Sequence, residues 1–321
     1  MSRRPFLAVL LACLVAAPSA WGQGYPTRPI RVIVGYTAGG AVDVVARAVS
    51  QQMQGNLGQP IIVENRPGAG TNIALRALID SPPDGLTLML TANAIAANMS
   101  LYEPPPYDLA RDVTPIAQVG RVPVVLAVST ASPYATLGSL IAAAKANPKA
   151  VNYGSPGNGS TPHLAVELFE RAAGVSLTHV PYKGGSQAIT DVMGGHVQLV
   201  AVNALEVQPQ VQAGKLRVLA VMTPARSVIF PEVPTVAEAG FPGFEAAVWY
   251  GFIGPAGLPA PIVTRLHAEV QRALASDEVK RRLAAAGGEV LPGSTEQFAA
   301  LLNSERVRYE RLIREAKIKP D

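Results

Sequence analysis

The sequence predicts an α/β fold in which mainly parallel sheets are flanked by helices and two strands cross between two lobes. Short β-branched runs alternate along the chain with segments whose apolar residues recur at helical spacing, a pattern typical of parallel sheets covered on both faces. The 321 residues also exceed one ordinary hydrophobic core, so two domains are expected.

The individual elements follow from these two kinds of pattern. Strands are predicted where apolar, β-branched runs are bounded by turn residues. They cover residues 30–34, 61–64, 86–91, 122–128, 177–180, 197–202 and 216–222. Helices are predicted where apolar residues lie three or four positions apart. They cover residues 41–56, 71–80, 136–147, 161–173, 185–194, 206–213, 260–275, 277–286 and 294–317.

Two extended segments are predicted to connect the domains. Residues 116–129 form one long strand from the first domain to the second, and residues 244–253 form the return strand. Domain 1 is therefore expected to comprise residues 23–124 and 250–321, and domain 2 residues 125–249. Two crossing strands make a hinge, and a ligand would lie in the cleft between the domains.

The N-terminal segment has the features of an export signal. Two arginines precede an apolar stretch at residues 6–17, and small residues follow. This stretch is too short to span a bilayer, so it predicts a signal peptide over residues 1–22, cleaved near Gly22, and a periplasmic mature protein. The alternative is a lipoprotein signal that uses Cys13.

Composition excludes several classes of function. The chain has 27 basic and 23 acidic residues, and its mature part is close to neutral without a basic cluster, so nucleic-acid binding is not expected. Cys13 is the only cysteine, and the four histidines lack metal-ligand spacing. Glycine spacing at residues 35–40 lacks the lysine of a phosphate loop. The chain is therefore predicted to bind no metal or cofactor and to be no enzyme.

Two glycine-containing loops each lie between an apolar run and a predicted helix. Loop 1 comprises residues 35–43, and loop 2 comprises residues 155–163. Glycine lets the backbone approach a ligand, and first-turn N–H groups have no partner within the helix. Such loops bind a carboxylate or phosphate without a basic side chain. Together they predict a cleft that binds one small anion from both sides.

Several short motifs occur in a specific order. They are residues 25–30 (YPTRPI), 63–70 (VENRPGAG), 83–85 (PDG), 180–184 (VPYKG), 194–198 (GGHVQ), 213–217 (AGKLR) and 231–240 (PEVPTVAEAG). In these motifs the chain resembles the substrate-binding proteins of the tripartite tricarboxylate transporter family, also called Bug receptors. The resemblance implies a periplasmic binding protein of the type II-like fold. It would close over a small organic carboxylate and deliver it to membrane permease subunits; a monomer is expected.

The resemblance also implies which residues bind the ligand. In the family, loops matching residues 36–43 and 155–161 bind carboxylate oxygens through amides, hydroxyls and ordered waters. Asp43 is expected to brace loop 1, because its charge would repel a carboxylate. Ser160 or Thr161 is expected to cap the following helix, with Pro162 at its first position. The ligand-binding candidates are Tyr36, Thr37, Ala38, Gly39, Gly40, Asp43, Asn93, Ser155, Asn158, Gly159, Ser160, Thr161, Lys183, Gly184 and Asn203.

Some candidates have a second interpretation. Asn93 either contacts the ligand or caps a helix, and Lys183 either attracts the ligand or is solvated. Asn203 stands where relatives commonly carry aspartate, so a charge is missing there. Tyr36 and Thr37 replace the usual phenylalanine and proline, which adds a hydroxyl to the cleft.

Two other functions remain as alternatives. A secreted hydrolase of carboxylate esters would use Ser155 or Ser160 with His163. A ligand sensor would present the closed form to a signalling partner in the membrane.

Overall fold

The computed structural model describes residues 24–182, 184–285 and 288–320. The predicted signal peptide and its cleavage site lie outside the described residues, as does the ligand-binding candidate Lys183. Within the described part of the chain, no helix is both long enough and apolar enough to cross a membrane.

Strands and helices alternate as the sequence patterns predict. The strands are β1 (Ile30–Val34), β2 (Ile61–Asn65), β3 (Thr87–Thr91), β4 (Val113–Ser129), β5 (Asn152–Ser155), β6 (Thr178–Pro181), β7 (Leu199–Asn203), β8 (Leu216–Val221), β9 (Ala247–Pro255) and β10 (Glu289–Val290). The helices are α1 (Ala41–Leu57), α2 (Asn72–Ile79), α3 (Ala94–Leu101), α4 (Leu109–Asp112), α5 (Leu137–Ala146), α6 (Thr161–Ala173), α7 (Gly185–Met193), α8 (Ala204–Gln212), α9 (Ala260–Ala275), α10 (Asp277–Ala285) and α11 (Thr295–Ala316). A 3₁₀ turn, Ala69–Thr71, precedes α2.

The strands form one mixed sheet in the order β2-β1-β3-β9-β4-β7-β5-β6, and β8 and β10 also pair with β4. β1 runs parallel to β2 and β3, and with β9 and β10 they make the first half-sheet. β5 runs parallel to β6 and β7, and with β8 they make the second half-sheet. The predicted α/β class is confirmed, with antiparallel pairing confined to the strands around β4 and β9.

Strand β4 is the continuous connection between the half-sheets. Its residues 113–123 pair with β9, and residues 124–129 pair with β7 and β8. Every side chain at residues 122–128 is buried, so the apolar run that predicted this strand lies in the core. The long crossing strand is confirmed, although it begins at Val113 rather than at residue 116. The return strand β9 begins at Ala247 rather than at residue 244.

Helices α3 and α4 are absent from the predictions. Helix α3 buries Ala94, Ile95, Ala96 and Ala97 in succession and packs against α11. A helix that is apolar on nearly all sides shows no helical period in its sequence. Its residues therefore could not be separated by pattern from the end of the buried strand β3.

The contact between β9 and α11 gives a test of the packing. The ring of Phe298 lies directly on the backbone of Gly251, so any Cβ atom there would overlap it. We expect Gly251→Ala to lower the free energy of unfolding by about 1–3 kcal/mol, measured by urea denaturation. Gly55→Ala, in an open part of α1, is the control and should raise it by about 0.5–1 kcal/mol. An unchanged midpoint for Gly251→Ala would contradict this packing.

Candidate functional site

Loop 1 is shaped by one buried carboxylate. Gly39 has a φ of 82°, and its amide donates to Oδ2 of Asp43 at 3.0 Å. The Nε of Arg47 donates to the same oxygen at 3.0 Å, and Nδ2 of Asn65 donates to Oδ1 at 2.9 Å. Asn65 also donates to the carbonyl of Tyr36 at 3.0 Å, which ties the loop to the end of β2.

The predicted bracing role of Asp43 agrees with its electrostatics. Asp43 is only 3% exposed, and this burial raises its pKa. Hydrogen bonds from Arg47, Gly39 and Asn65, together with the charge of Arg47, outweigh burial and leave the pKa below its usual value. The carboxylate is therefore ionised and points its oxygens at the loop. The sequence analysis did not identify Arg47 and Asn65 as partners of Asp43. The position of Arg47, four residues after Asp43 on the same helix, could have indicated that pair.

The amides of loop 1 divide into paired and unpaired groups. The amide of Gly39, predicted to bind the ligand, donates to Asp43 instead, and that of Gly40 donates weakly to the carbonyl of Thr37 at 3.5 Å. Gly40 is the N-cap of α1 and provides no side-chain cap. No described residue accepts a hydrogen bond from the amides of Ala38, Ala41 or Val42. The start of this 17-residue helix therefore presents donors to an anion.

Loop 2 has a side-chain cap. Ser160 is the N-cap of α6: its hydroxyl accepts from the amide of His163 at 3.4 Å and donates to the carbonyl of Gly157 at 2.6 Å. Of the two predicted caps, Ser160 is confirmed. The first helical residue is Thr161, so Pro162 occupies the second position rather than the first. Thr161 itself is buried, with 5% of its surface exposed.

Stacked imidazoles lie beneath loop 2. The rings of His163 and His179 are parallel with centroids 3.9 Å apart, and Tyr153 stacks on His179 at 4.8 Å. Nδ1 of His163 accepts the amide of Gly159 at 3.0 Å, so that amide, predicted to bind the ligand, is used within the loop. Burial, and secondarily the charge of His163, lower the pKa of His179 to about 3. His179 is therefore neutral and hydrogen-bonded to the hydroxyl of Ser155 at 2.7 Å.

This geometry contradicts the residue assignment of the hydrolase alternative. The hydroxyl of Ser155 pairs with His179, not with His163, and Ser155 is fully buried. The hydroxyl of Ser160 bonds to the carbonyl of Gly157 and to the backbone amide of His163, and not to its ring. Neither serine bonds to the imidazole that would have to remove its proton.

The structure gives Asn93 a different role from both predicted ones. Asn93 is 1% exposed, and its side chain makes no cap bond for α3. Its Nδ2 donates to the carboxylate of Glu305 and the hydroxyl of Tyr309, both at 2.9 Å, and its Oδ1 accepts the amide of Trp249 at 3.0 Å. Asn93 therefore connects β9 to α11. Its partner Glu305 lies on α11, more than two hundred residues away along the chain. No local sequence pattern could therefore indicate this role of Asn93.

Of the remaining candidates, two lie at the starts of α7 and α8 and one lies in loop 2. Gly184 is the extended residue before α7, with open space around it. Asn203 precedes α8 and donates from Nδ2 to Oε1 of Glu206 at 2.8 Å, whereas its Oδ1 is buried without a partner in the described chain. Asn158 is half-buried in loop 2. The sequence analysis did not single out Glu206. Its place as the third residue of α8 could have indicated it, because a carboxylate there commonly accepts a hydrogen bond from the N-cap residue.

A short series of contacts links the two loops. Thr71 packs against Gly35 at the start of loop 1, close enough that a Cβ on Gly35 would lie 2.7 Å from that of Thr71. Asn98 of α3 donates to the carbonyl of Gly70 at 2.7 Å. Leu101, one turn further along α3, packs on the backbone of Gly159 in loop 2. Loops 1 and 2 are therefore neighbours across α3 and the 3₁₀ turn.

Two half-sheets joined by crossing strands, with a glycine loop opening a helix in each half, define the class of two-lobed solute-binding proteins. Sequence comparison is more specific. The model of the tripartite tricarboxylate transporter family receptor matches residues 45–318, and the chain belongs to this family.

Individual relatives match over nearly the whole chain. Protein BugT of Bordetella pertussis is 37% identical over 309 residues, which are 95% of this chain and 94% of BugT. The R. palustris protein Rpa4515, solved with adipate, has a TM-score of 0.85 at 36% identity and covers 92% of this chain and 100% of its own. MatC from Rhodopseudomonas palustris, solved with bound malate, has a TM-score of 0.82 at 31% identity, covering 90% and 100%. The predicted family and fold are confirmed, and the family is one of solute-binding receptors rather than enzymes.

The brace at Asp43 predicts a pH-dependent loss of stability. Replacing Asp43 with Asn should lower the free energy of unfolding at pH 7 by about 1–3 kcal/mol, because buried donors lose an ionised acceptor. The folded pKa lies below the unfolded value of about 3.9. The stabilisation is thus complete above that value and is lost as pH falls through the folded pKa.

Urea denaturation of both proteins from pH 7 to pH 3 measures this effect, and the difference between them should shrink at the acidic end. Asp80→Asn is the matched control, since Asp80 pairs with Arg76 at the same spacing but both side chains are more than half exposed. It should change stability by less than about 0.5 kcal/mol. Equal effects of the two substitutions would contradict the brace.

Proposed function

We propose that the chain is a periplasmic receptor that captures a small organic carboxylate between loops 1 and 2 and delivers it to the permease subunits of a tripartite tricarboxylate transporter. The observation that carries this proposal is the uncapped start of α1, where an ionised Asp43 shapes the loop while first-turn amides stay unpaired. The adipate and malate in Rpa4515 and MatC support a carboxylate as the ligand class.

At loop 1 the ligand is bound by backbone amides rather than by basic side chains. The amides of Ala38, Ala41 and Val42 donate to one carboxylate, and the partial positive charge at the start of α1 adds to these bonds. Tyr36, Thr37 and Gly40 border the same position. On the opposite side, the ligand contacts Asn158, Ser160, Thr161, Lys183 and Gly184. Gly39, Ser155 and Gly159 set the shape of the loops.

Capture involves closure of two domains about β4 and β9. Residues 23–124 and 250–321 form one domain, and residues 125–249 form the other. A ligand that touches both loops binds the closed state better than the open state, so it shifts the population toward closure. The receptor acts as a monomer, exported by a signal peptide that is cleaved near Gly22.

The direct test is calorimetric titration of the mature protein with adipate, malate and citrate. At least one carboxylate should bind, and at a hundred times its dissociation constant it should stabilise the fold by about 2.7 kcal/mol. N-terminal sequencing of the periplasmic fraction tests the cleavage site. Absence of both heat and thermal shift with all three carboxylates would contradict the proposal.

Gly39 provides a local test of loop 1. Valine at a φ of 82° is strained, and the loop must shift the neighbouring amides to accommodate it. We expect Gly39→Val to weaken binding of the tightest of the three carboxylates at least tenfold. Gly58→Val is the matched control, because Gly58 has a φ of 67° and open space at the other end of α1. It should lose comparable stability and keep its affinity within twofold; equal affinity losses would remove loop 1 from the site.

A further inference from the structure

Loop 2 contains one buried, titratable side chain to which the proposed function assigns no role. His163 is the third residue of α6 and is only 3% exposed. Its backbone amide donates to the hydroxyl of Ser160, and its Nδ1 accepts the amide of Gly159 at 3.0 Å. The cap of α6 and the middle of loop 2 are therefore both bonded to this one residue.

The bond from Gly159 determines the protonation state of the ring. A backbone N–H can only donate, so Nδ1 of His163 is an unprotonated acceptor and the ring is neutral. The proton is then on Nε2, which lies 3.6 Å from Oε1 of Glu167, four residues further along α6. This distance exceeds that of a hydrogen bond, so the neutral ring is held by Gly159 rather than by Glu167.

Protonation of the ring would reverse these two contacts. An imidazolium has two donors and no acceptor, so Nδ1 could no longer accept the amide of Gly159. Gly159 is itself buried, with Leu101 of α3 packed on it, so its amide would lose its partner unless loop 2 moved. The carboxylate of Glu167 would gain a charged partner at Nε2. The charged ring therefore favours a different position of loop 2 from the neutral ring.

Three further titratable groups lie around the stacked rings. His179 faces the ring of His163 at 3.9 Å, and burial lowers its pKa to about 3, so it is neutral. Tyr153 stacks on His179, and burial raises the pKa of its phenol far above the usual value. Burial also raises the pKa of Glu170 to about 7, but its carboxylate accepts the amide of Leu177, beyond the end of α6. Glu170 thus titrates near neutral pH while its bond lies outside loop 2.

The other elements packed against α6 are β4, β7, β9 and α11. β7 carries no charged residue, and β9 carries only the buried phenol of Tyr250. The ion pairs of β4 and α11 are Arg121 with Glu245 and Glu289, Glu305 with Arg308, Glu310 with Arg306, and Glu315 with Arg311 and Arg171. Since these acids already have arginine partners, Glu167 is the described carboxylate that meets the ring of His163.

Building on the proposed function, we propose that His163 is a positioning residue for the ligand: its neutral ring holds loop 2 in the binding position, and its protonation releases the loop and lowers carboxylate affinity. Histidine is the side chain whose charge ordinarily changes between about pH 5 and 8. The binding position requires the unprotonated ring, because only that ring accepts the amide of Gly159. Affinity is therefore highest at the alkaline end of this range and falls as the pH falls through it.

Calorimetric titration at pH 8, 7, 6 and 5 measures this dependence, with the tightest of adipate, malate and citrate as the probe. The comparison is with His163→Asn, whose side-chain oxygen can replace Nδ1 as the acceptor but takes up no proton. Ionisation of the ligand and of Glu206 is common to both proteins, so the ratio of their affinities reports the ring. Between pH 8 and pH 5 the unmodified protein should lose at least fivefold more affinity than His163→Asn.

Two further variants separate positioning from a general effect on the fold. His163→Ala offers no acceptor to Gly159, so at pH 8 it should bind at least tenfold more weakly than the unmodified protein, and His163→Asn should recover part of this loss. Glu170→Gln is the matched control, because it removes a group that titrates near neutral pH but keeps an acceptor for Leu177. It should retain the pH profile of the unmodified protein.

Nitrogen NMR of isotope-labelled histidines tests the ring without a ligand, with His163→Asn to assign its signal. Nδ1 of His163 should be unprotonated at pH 8 and protonated at pH 5. A proton on Nδ1 at pH 8, or equal pH profiles for the unmodified protein and His163→Asn, would overturn the inference and leave the carboxylate receptor standing. If none of the three carboxylates binds at pH 8, the proposed function fails and the inference fails with it.

Discussion

The bond between the ionised carboxylate of Asp43 and the amide of Gly39 is the constraint on which the proposed site depends. A helix start is usually completed by a side chain that occupies the first-turn amides. Here the acid lies in the first turn of α1 and bonds backward to the loop, while the cap position is a glycine. Arg47 and Asn65 complete the coordination of the carboxylate from outside the loop. These bonds fix the conformation of the loop, while the amides of Ala38, Ala41 and Val42 remain without an acceptor in the described chain.

Loop 2 reaches a similar end by different chemistry. Stacked imidazoles lie under it, and His163 accepts the amide of Gly159 while His179 bonds to Ser155. Burial holds the pKa of His179 at about 3, so this ring is neutral in its bond to Ser155. One loop is thus fixed by an ionised carboxylate in the first turn of its helix and the other by stacked aromatic rings. The contacts through Asn98 and Leu101 then set the distance between them.

Local pattern was sufficient for most elements, α3 and α4 excepted, but not for the partners of polar side chains. The bounds of α6, α9 and β1 follow directly from apolar periodicity, because these elements have one buried and one exposed face or a β-branched run. The role of Asp43 followed from charge repulsion and from its place in the first helical turn. Asn93 could not be assigned in this way, since its partners are on β9 and α11. The same holds for Ser155, whose partner His179 lies on a neighbouring strand.

The charges around the cleft restrict the ligand more than the amides do. Backbone N–H groups at the start of α1 can donate to any carboxylate, and the nearby cation, Arg47, is already paired with Asp43. Glu206 adds a negative charge whose pKa burial already raises, so a fully anionic ligand near it would either be repelled or require the acid to take up a proton. In the receptor proposed above, discrimination between carboxylates therefore falls to side-chain polar atoms rather than to the amides of the helix start. Since a site with unpaired acceptors rejects ligands that cannot supply donors, specificity arises there from what the ligand brings rather than from the strength of the carboxylate contacts.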